Sequence, residues 1–176
     1  MKKLIFATHN ANKVKEVRNQ LMGTYEILGL NDIGFHEEII EDKKTIVENS
    51  IAKVRFVKER TGYDCFADDT GLEVNALNGK PGVFSKRFAG QNASSDDNIN
   101  KLLHMLKGKQ DRSAQFKTVI SLFNNGEIQT FEGICKGNIG FKRSGNFGFG
   151  YDPIFKPLGY NHTSVSYTHL RAHETS

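Results

Sequence analysis

Long apolar runs are missing from this 176-residue chain, and none of its segments reaches the roughly 20 residues that a bilayer-spanning helix needs. The N-terminus, Met1-Lys2-Lys3-Leu4, passes straight into an apolar strand candidate and has no signal-peptide core. A cytoplasmic protein without a membrane partner is therefore expected. Cysteine is scarce: Cys65 and Cys135 form neither a disulfide framework nor metal-ligand spacing, and both sit in apolar or strand-like settings. The expectation is two buried free thiols in a reducing compartment. Blocks of Lys and Arg are absent, and so is any RRM or KH signature. The net charge of +4 and pI near 9.0 thus suit an anionic small molecule at least as well as nucleic acid, and no nucleic-acid partner is expected. There is no Gly-x-x-x-x-Gly-Lys-Ser/Thr, which excludes a P-loop. No internal repeat is visible. A hydrophobic fraction of 38% excludes disorder and leaves a globular chain with a real core.

The strongest local signal is Ala7-Thr8-His9-Asn10-Ala11-Asn12-Lys13. It follows the apolar Leu4-Ile5-Phe6 and precedes apolar residues at Val14, Val17 and Leu21, a strand–turn–helix pattern with Asn10 as N-cap. A helix N-terminus favours Asp or Glu by about 0.3–1 kcal/mol. Here the first charges are Lys13 and Lys15, as if an anion were to dock on free backbone N–H groups. A hydroxyl (Thr8), an amide (Asn10) and an ammonium (Lys13) on one turn are phosphate-binding chemistry. An ordinary cap with solvated lysines fits the same residues.

Further along, Tyr25–Leu30 reads as a strand. Thr45-Ile46-Val47-Glu48 reads as a capping box ahead of a stripe at Val47, Ile51, Val54 and Phe56 or Val57. Cys65–Gly71 reads as a buried strand ending in an acidic turn, with another strand starting at Leu72-Glu73-Val74. Asn78–Gly82 is a loop. Ser95 caps a helix bearing Ile99, Leu102, Leu103 and Leu106. The alternation in Ala114–Phe123, then Asn125-Gly126, predicts a hairpin into Ile128–Ile139. Helices alternate with strands early and a hairpin comes late, which predicts an α/β domain with a mixed sheet.

Glu41, Asp68 and Asp69 form the acid set. Mg²⁺ takes oxygen ligands from one or two carboxylates plus substrate phosphates, and ligands gather at the carboxyl ends of strands in α/β sheets. If a strand runs through Asp68 and Asp69, only one of them faces a given side. If they begin a turn before Thr70-Gly71, they cap backbone amides instead. Phe147–Asp152 is a Gly-rich aromatic loop that can stack on a base or plug the core. Lys53, Lys86 and Arg87 are further cationic candidates.

Together, five ordered strings resemble one family: Thr8–Glu16, Thr45–Ser50, Ala67–Leu72, Pro81–Phe88 and Phe149–Phe155. This is the inosine triphosphate pyrophosphatase family, the non-standard purine nucleoside triphosphate pyrophosphatases, and the resemblance covers roughly Lys2 to Thr163. It implies a two-lobed mixed β-sheet with flanking helices and a cleft between the lobes. It implies Mg²⁺-dependent hydrolysis of ITP, dITP and XTP to monophosphate and pyrophosphate, by a cytosolic homodimer. Residue by residue, it implies triphosphate binding by Thr8, Asn10 and Lys13, Mg²⁺ ligation by Glu41 and Asp69, and Asp69 as general base. Lys53 and Thr70 become substrate contacts, and Phe149, Gly150, Tyr151 and Asp152 become the base-binding loop.

The family continues past Thr163 with a base-contacting lysine, a Ser-His-Arg motif and a terminal helix. Val165–Thr175 instead resembles a translated sequencing adapter. The expected organisation is a single two-lobed domain over 1–164, incomplete at its C-terminus, followed by a non-native tail over 165–176. The alternative function is a nucleotide-binding fragment without turnover.

Overall fold

The computed structural model describes residues 1–145, 150–160 and 163, so the expected tail lies outside the described residues. The chain folds as a mixed β-sheet with flanking helices. The elements are β1 (Lys2–Phe6), α1 (Ala11–Gln20), β2 (Tyr25–Gly29), α2 (Ile46–Thr61), β3 (Cys65–Val74), β4 (Pro81–Gly82), α3 (Ser95–Met105), β5 (Ser113–Asn124), β6 (Glu127–Ile139) and β7 (Phe155–Pro157). The strand order is β2-β1-β3-β5-β6-β7, with β4 on β3. β1 pairs parallel to both β2 and β3, whereas β3–β4 and β6–β7 are antiparallel. The residues group into two compact units: Met1–Asp69 with Thr118–Glu132, and Thr70–Lys117 with Gly133 onward.

In the first unit, period-two alternation gives the sheet two apolar faces. Phe6, Ile27 and Phe66 meet Val14 of α1, with Phe6 and Phe66 stacked at 4.4 Å. Ile5, Ala7, Cys65 and Ala67 meet Val54 and Val57 of α2. Each buried Val, Ile or Phe among them contributes roughly 1.5–3 kcal/mol relative to exposure. The expected stripe on α2 is rotated: its buried residues are Ile46, Asn49, Ser50, Lys53, Val54 and Val57, while Val47 and Ile51 are only half-buried. The polar members are on the inner side because the sheet offers them partners. Ser50 Oγ, for example, lies 3.2 Å from the carbonyl oxygens of both Ala67 and Val119. Thr45 caps α2 by accepting from the Glu48 N–H, but its hydroxyl donates to the Glu48 carboxylate, so the expected reciprocal capping box is only half formed.

β2 ends the strand order, and two of its outward backbone groups are occupied by side chains. Arg18 Nε donates to the Ile27 carbonyl at 3.0 Å and its Nη2 pairs with Asp32, whose carboxylate accepts the Gly29 N–H at 2.7 Å.

In the second unit, α3 is capped by Ser94 in a reciprocal box with Asp97, one residue earlier than expected. Ile99, Leu102 and Leu106 pack on Leu72, Val74, Ala114, Ile139, Tyr151, Ile154 and Phe155. The hairpin at Asn125-Gly126 forms as expected, both residues having positive φ (52° and 87°) as a two-residue primed turn requires. Cys65 is buried, but Cys135 is exposed, contrary to expectation. It sits in the stretch Phe131–Lys136 of β6, where every residue on both faces is exposed.

Candidate functional site

β3 is one continuous strand through Asp68, Asp69, Thr70 and Gly71, so the acidic turn and the separate strand at Leu72 do not exist. Pairing with β1 and β4 on either side of the acids holds the backbone extended. Alternation then decides where each acid points. Asp68 follows Phe66 towards α1, and Asp69 follows Cys65 and Ala67 towards α2. Each meets a lysine from the helix on its own side. Lys13 Nζ lies 2.5 Å from Asp68 Oδ2, and Lys53 Nζ lies 3.0 Å from Asp69 Oδ1. Lys53 Nζ also donates to the Asp68 carbonyl at 3.1 Å, so both ammonium groups converge on Asp68.

The turn after β1 is built from its own side chains. Asn10 caps α1, its Oδ1 accepting from the Asn12 and Lys13 N–H groups at 3.0 and 3.2 Å. Thr8 Oγ1 accepts the Asn10 N–H at 3.2 Å. Two amides expected to be free for an anion are therefore occupied by the cap. The first turn of α1 contains no acid. His9 ties the turn down: its Nδ1 is 3.0 Å from Asn31 Oδ1 and its Nε2 is 3.0 Å from the Glu37 carbonyl. What the turn offers a phosphate is the Lys13 ammonium, the Thr8 hydroxyl and the Asn10 amide on a fixed backbone.

On the other side of β3, Lys53 is only 8% exposed and Asp69 only 9%. Lys53 Nζ lies 2.6 Å from Glu41 Oε1 as well, so one ammonium is shared by two carboxylates. Burial alone lowers the Lys53 pKa, but the charges of Asp69 and Glu41 outweigh it and hold the pKa above the usual value. Burial raises the Asp69 pKa, and Glu41 adds to the rise. The charge and hydrogen bond of Lys53, with the Asn49 amide, oppose it without cancelling it. Asn49 itself is 1% exposed. Its Oδ1 accepts the Lys43 N–H at 3.0 Å, and its amide lies beside the Asp69 carboxylate, whose charged form it favours.

Glu41 and Asp69 fit a hard divalent cation. They converge on one positive charge already, and they are all-oxygen donors. Among the described residues no cluster of three or more His, Cys, Asp or Glu forms a closed cage. Two carboxylates suit an ion that completes its shell with phosphate and water.

The remaining expected site residues belong to the second unit. Thr70 is exposed and follows Asp69 along β3. Tyr151 is 4% exposed, packs in the core and donates its hydroxyl to the Ser85 carbonyl at 2.9 Å. Gly150, at positive φ, and Asp152 are half-buried beside it. Phe149 lies outside the described residues. Arg87 stacks on Phe84.

Asn49 and His9 went unassigned at the sequence level. The signal for Asn49 was its position four residues before Lys53, on the same helix face. His9 had no such signal, because its partners at positions 31 and 37 are distant in sequence.

The Ham1 family model matches residues 4–175, and the chain belongs to that family. It is 54% identical over 160 residues to the dITP/XTP pyrophosphatase of Flavobacterium psychrophilum, covering 91% of this chain and 84% of that protein. It is 47% identical over 161 residues to the dITP/XTP pyrophosphatase of Porphyromonas gingivalis, covering 91% and 83%. The Ham1 protein of Staphylococcus aureus superposes with a TM-score of 0.88 at 35% identity, covering 99% of this chain and 91% of that one. These matches bear out the resemblance read from the five motifs, and the fold class with it.

Proposed function

We propose that the chain hydrolyses non-standard purine nucleoside triphosphates (ITP, dITP and XTP) to the monophosphate and pyrophosphate, with Mg²⁺ as cofactor. The observation that carries this reading is the paired arrangement on β3: two adjacent carboxylates, each held by its own buried or half-buried lysine, beside the Thr8–Lys13 turn. The relatives named as dITP/XTP pyrophosphatases support the substrate class.

In this reading Lys13, with Thr8 and Asn10, binds triphosphate oxygens. Glu41 and Asp69 hold Mg²⁺, which when bound neutralises phosphate charge and acidifies a water. Asp69 takes a proton from the attacking water. The water oxygen bonds to the α-phosphorus, the bond from that phosphorus to the bridging oxygen breaks, and pyrophosphate leaves. Lys53 holds Glu41 and Asp69 together. Thr70 contacts substrate, and Phe149, Gly150, Tyr151 and Asp152 form the base-binding loop, in which Tyr151 supports the loop from the core. A cytoplasmic homodimer completes the proposal. No described helix is long and apolar enough to cross a membrane, which accords with it.

The test is pyrophosphate release from ITP, dITP, XTP and ATP with Mg²⁺, beside calorimetry. Release from the first three well above that from ATP is expected. Binding of ITP without pyrophosphate identifies a nucleotide-binding module instead, and neither binding nor release overturns both readings. Light scattering decides the dimer.

A further inference from the structure

Resting on that reading of Glu41 and Asp69, we propose that Asn49 is a positioning residue that anchors the Glu41 segment and so sets the spacing of the two carboxylates that take the divalent cation. Glu41 lies in a segment outside any helix or strand, between β2 and α2. Two residues on, the Lys43 N–H donates to Asn49 Oδ1 at 3.0 Å. Asn49 is on α2, one turn before Lys53, and both side chains are turned inward. Asp69 faces that same helix side, 3.0 Å from Lys53.

One amide thus links the irregular segment to the rigid helix, while its other half lies next to the acid on the strand. Lys53 cannot do this alone. Its ammonium bonds Glu41 at the end of a long flexible stem, and that contact must loosen when a second cation enters between the same carboxylates. The backbone bond from Lys43 to Asn49 does not compete with a cation. It keeps Glu41 close to Asp69 after Lys53 yields. The other half of the amide has the same logic: it lies beside Asp69 and favours the ionised carboxylate that the cation takes.

Outer partners of metal ligands typically contribute about 10–100-fold to metal affinity. The experiment is Mn²⁺ binding by calorimetry to the nucleotide-free protein, with melting temperature and circular dichroism as fold controls. Asn49→Ala is expected to weaken Mn²⁺ binding at least about tenfold. Its effect should not add to that of Glu41→Gln, because both act on the same ligand. Lys43→Pro removes the same hydrogen bond from an exposed loop without touching the core, and it decides the matter if Asn49→Ala does not fold. It should weaken Mn²⁺ binding to a similar degree. In turnover, Asn49→Ala should raise the Mg²⁺ concentration for half-maximal rate while leaving KM for ITP at saturating Mg²⁺ unchanged.

Wild-type-like Mn²⁺ binding by both single variants overturns the positioning role alone. So does full additivity of Asn49→Ala with Glu41→Gln. Absence of Mn²⁺ binding by the unaltered protein overturns this role and the metal assignment together.

Discussion

Asp68 and Asp69, neighbours in β3, are held by different lysines: Lys13 Nζ lies 2.5 Å from Asp68 Oδ2, and Lys53 Nζ lies 3.0 Å from Asp69 Oδ1. The alternation of an extended strand divides one acidic dipeptide between two helices, and it gives the two acids different environments. Asp68 is half-buried; Asp69 is buried and shares its lysine with Glu41. Their substitutions should therefore have different effects.

Asp69→Asn is expected to lose at least about a hundredfold in turnover, the lower end of what a positioned base contributes. Pyrophosphate release measures it. Turnover in the unaltered protein should fall as pH drops through the range in which Asp69 takes up a proton, because the base form is the ionised one. Stability has the opposite sign. In the Mg²⁺-free protein burial raises the Asp69 pKa, so its contribution is fully present below the unfolded value and lost as pH rises through the folded one. Rates and melting temperatures followed across pH should therefore diverge, and Asp69→Asn should remove this divergence.

Lys13→Ala should raise KM for the triphosphate and leave the melting-temperature gain from Mg²⁺ intact, since Lys13 faces Asp68 and not the Glu41–Asp69 pair. Steady-state kinetics and a thermal melt check the two halves. An unchanged KM removes the turn after β1 from the substrate site.

Mg²⁺ should stabilise the protein through Glu41 and Asp69. At a hundredfold excess over Kd the gain is about 2.7 kcal/mol, visible as a rise in melting temperature. Glu41→Gln should remove most of it. A full rise in Glu41→Gln places the ion elsewhere.

The two cysteines should label unequally. Burial pushes the Cys65 thiol up to about 11, so at pH 8 it is protonated as well as covered. Cys135 is exposed. Mass spectrometry after iodoacetamide should show one adduct on the native protein, at Cys135, and two after denaturation.

Gly137→Ala should destabilise by about 1–3 kcal/mol, as overpacking does. A Cβ there runs into the Lys156 carbonyl and the buried Phe155 ring, and neither contact is the tip of a flexible side chain. Urea unfolding measures the loss.

Local chemistry was legible where a few adjacent residues decide the outcome. Asn10 announces α1 because a short amide side chain reaches the next two N–H groups. Asn125-Gly126 announces its hairpin because both residues accept positive φ. The reading failed where distant partners decide. Asp68-Asp69-Thr70-Gly71 has turn composition, yet pairing with β1 and β4 keeps it extended. The stripe on α2 was misplaced because Asn49, Ser50 and Lys53 read as solvent residues. Their partners lie on the Lys43 segment, β3 and β5, which periodicity cannot see. The site residues were named by family motif; that Asp68 and Asp69 take separate lysines needed the strand itself.

The Arg18–Asp32 pair along β2 has a further consequence. A guanidinium covers the Ile27 oxygen and a carboxylate covers the Gly29 nitrogen, so a foreign strand approaching this border finds two rungs of the ladder already taken. Two charged side chains thereby guard the sheet against runaway self-association at its first strand.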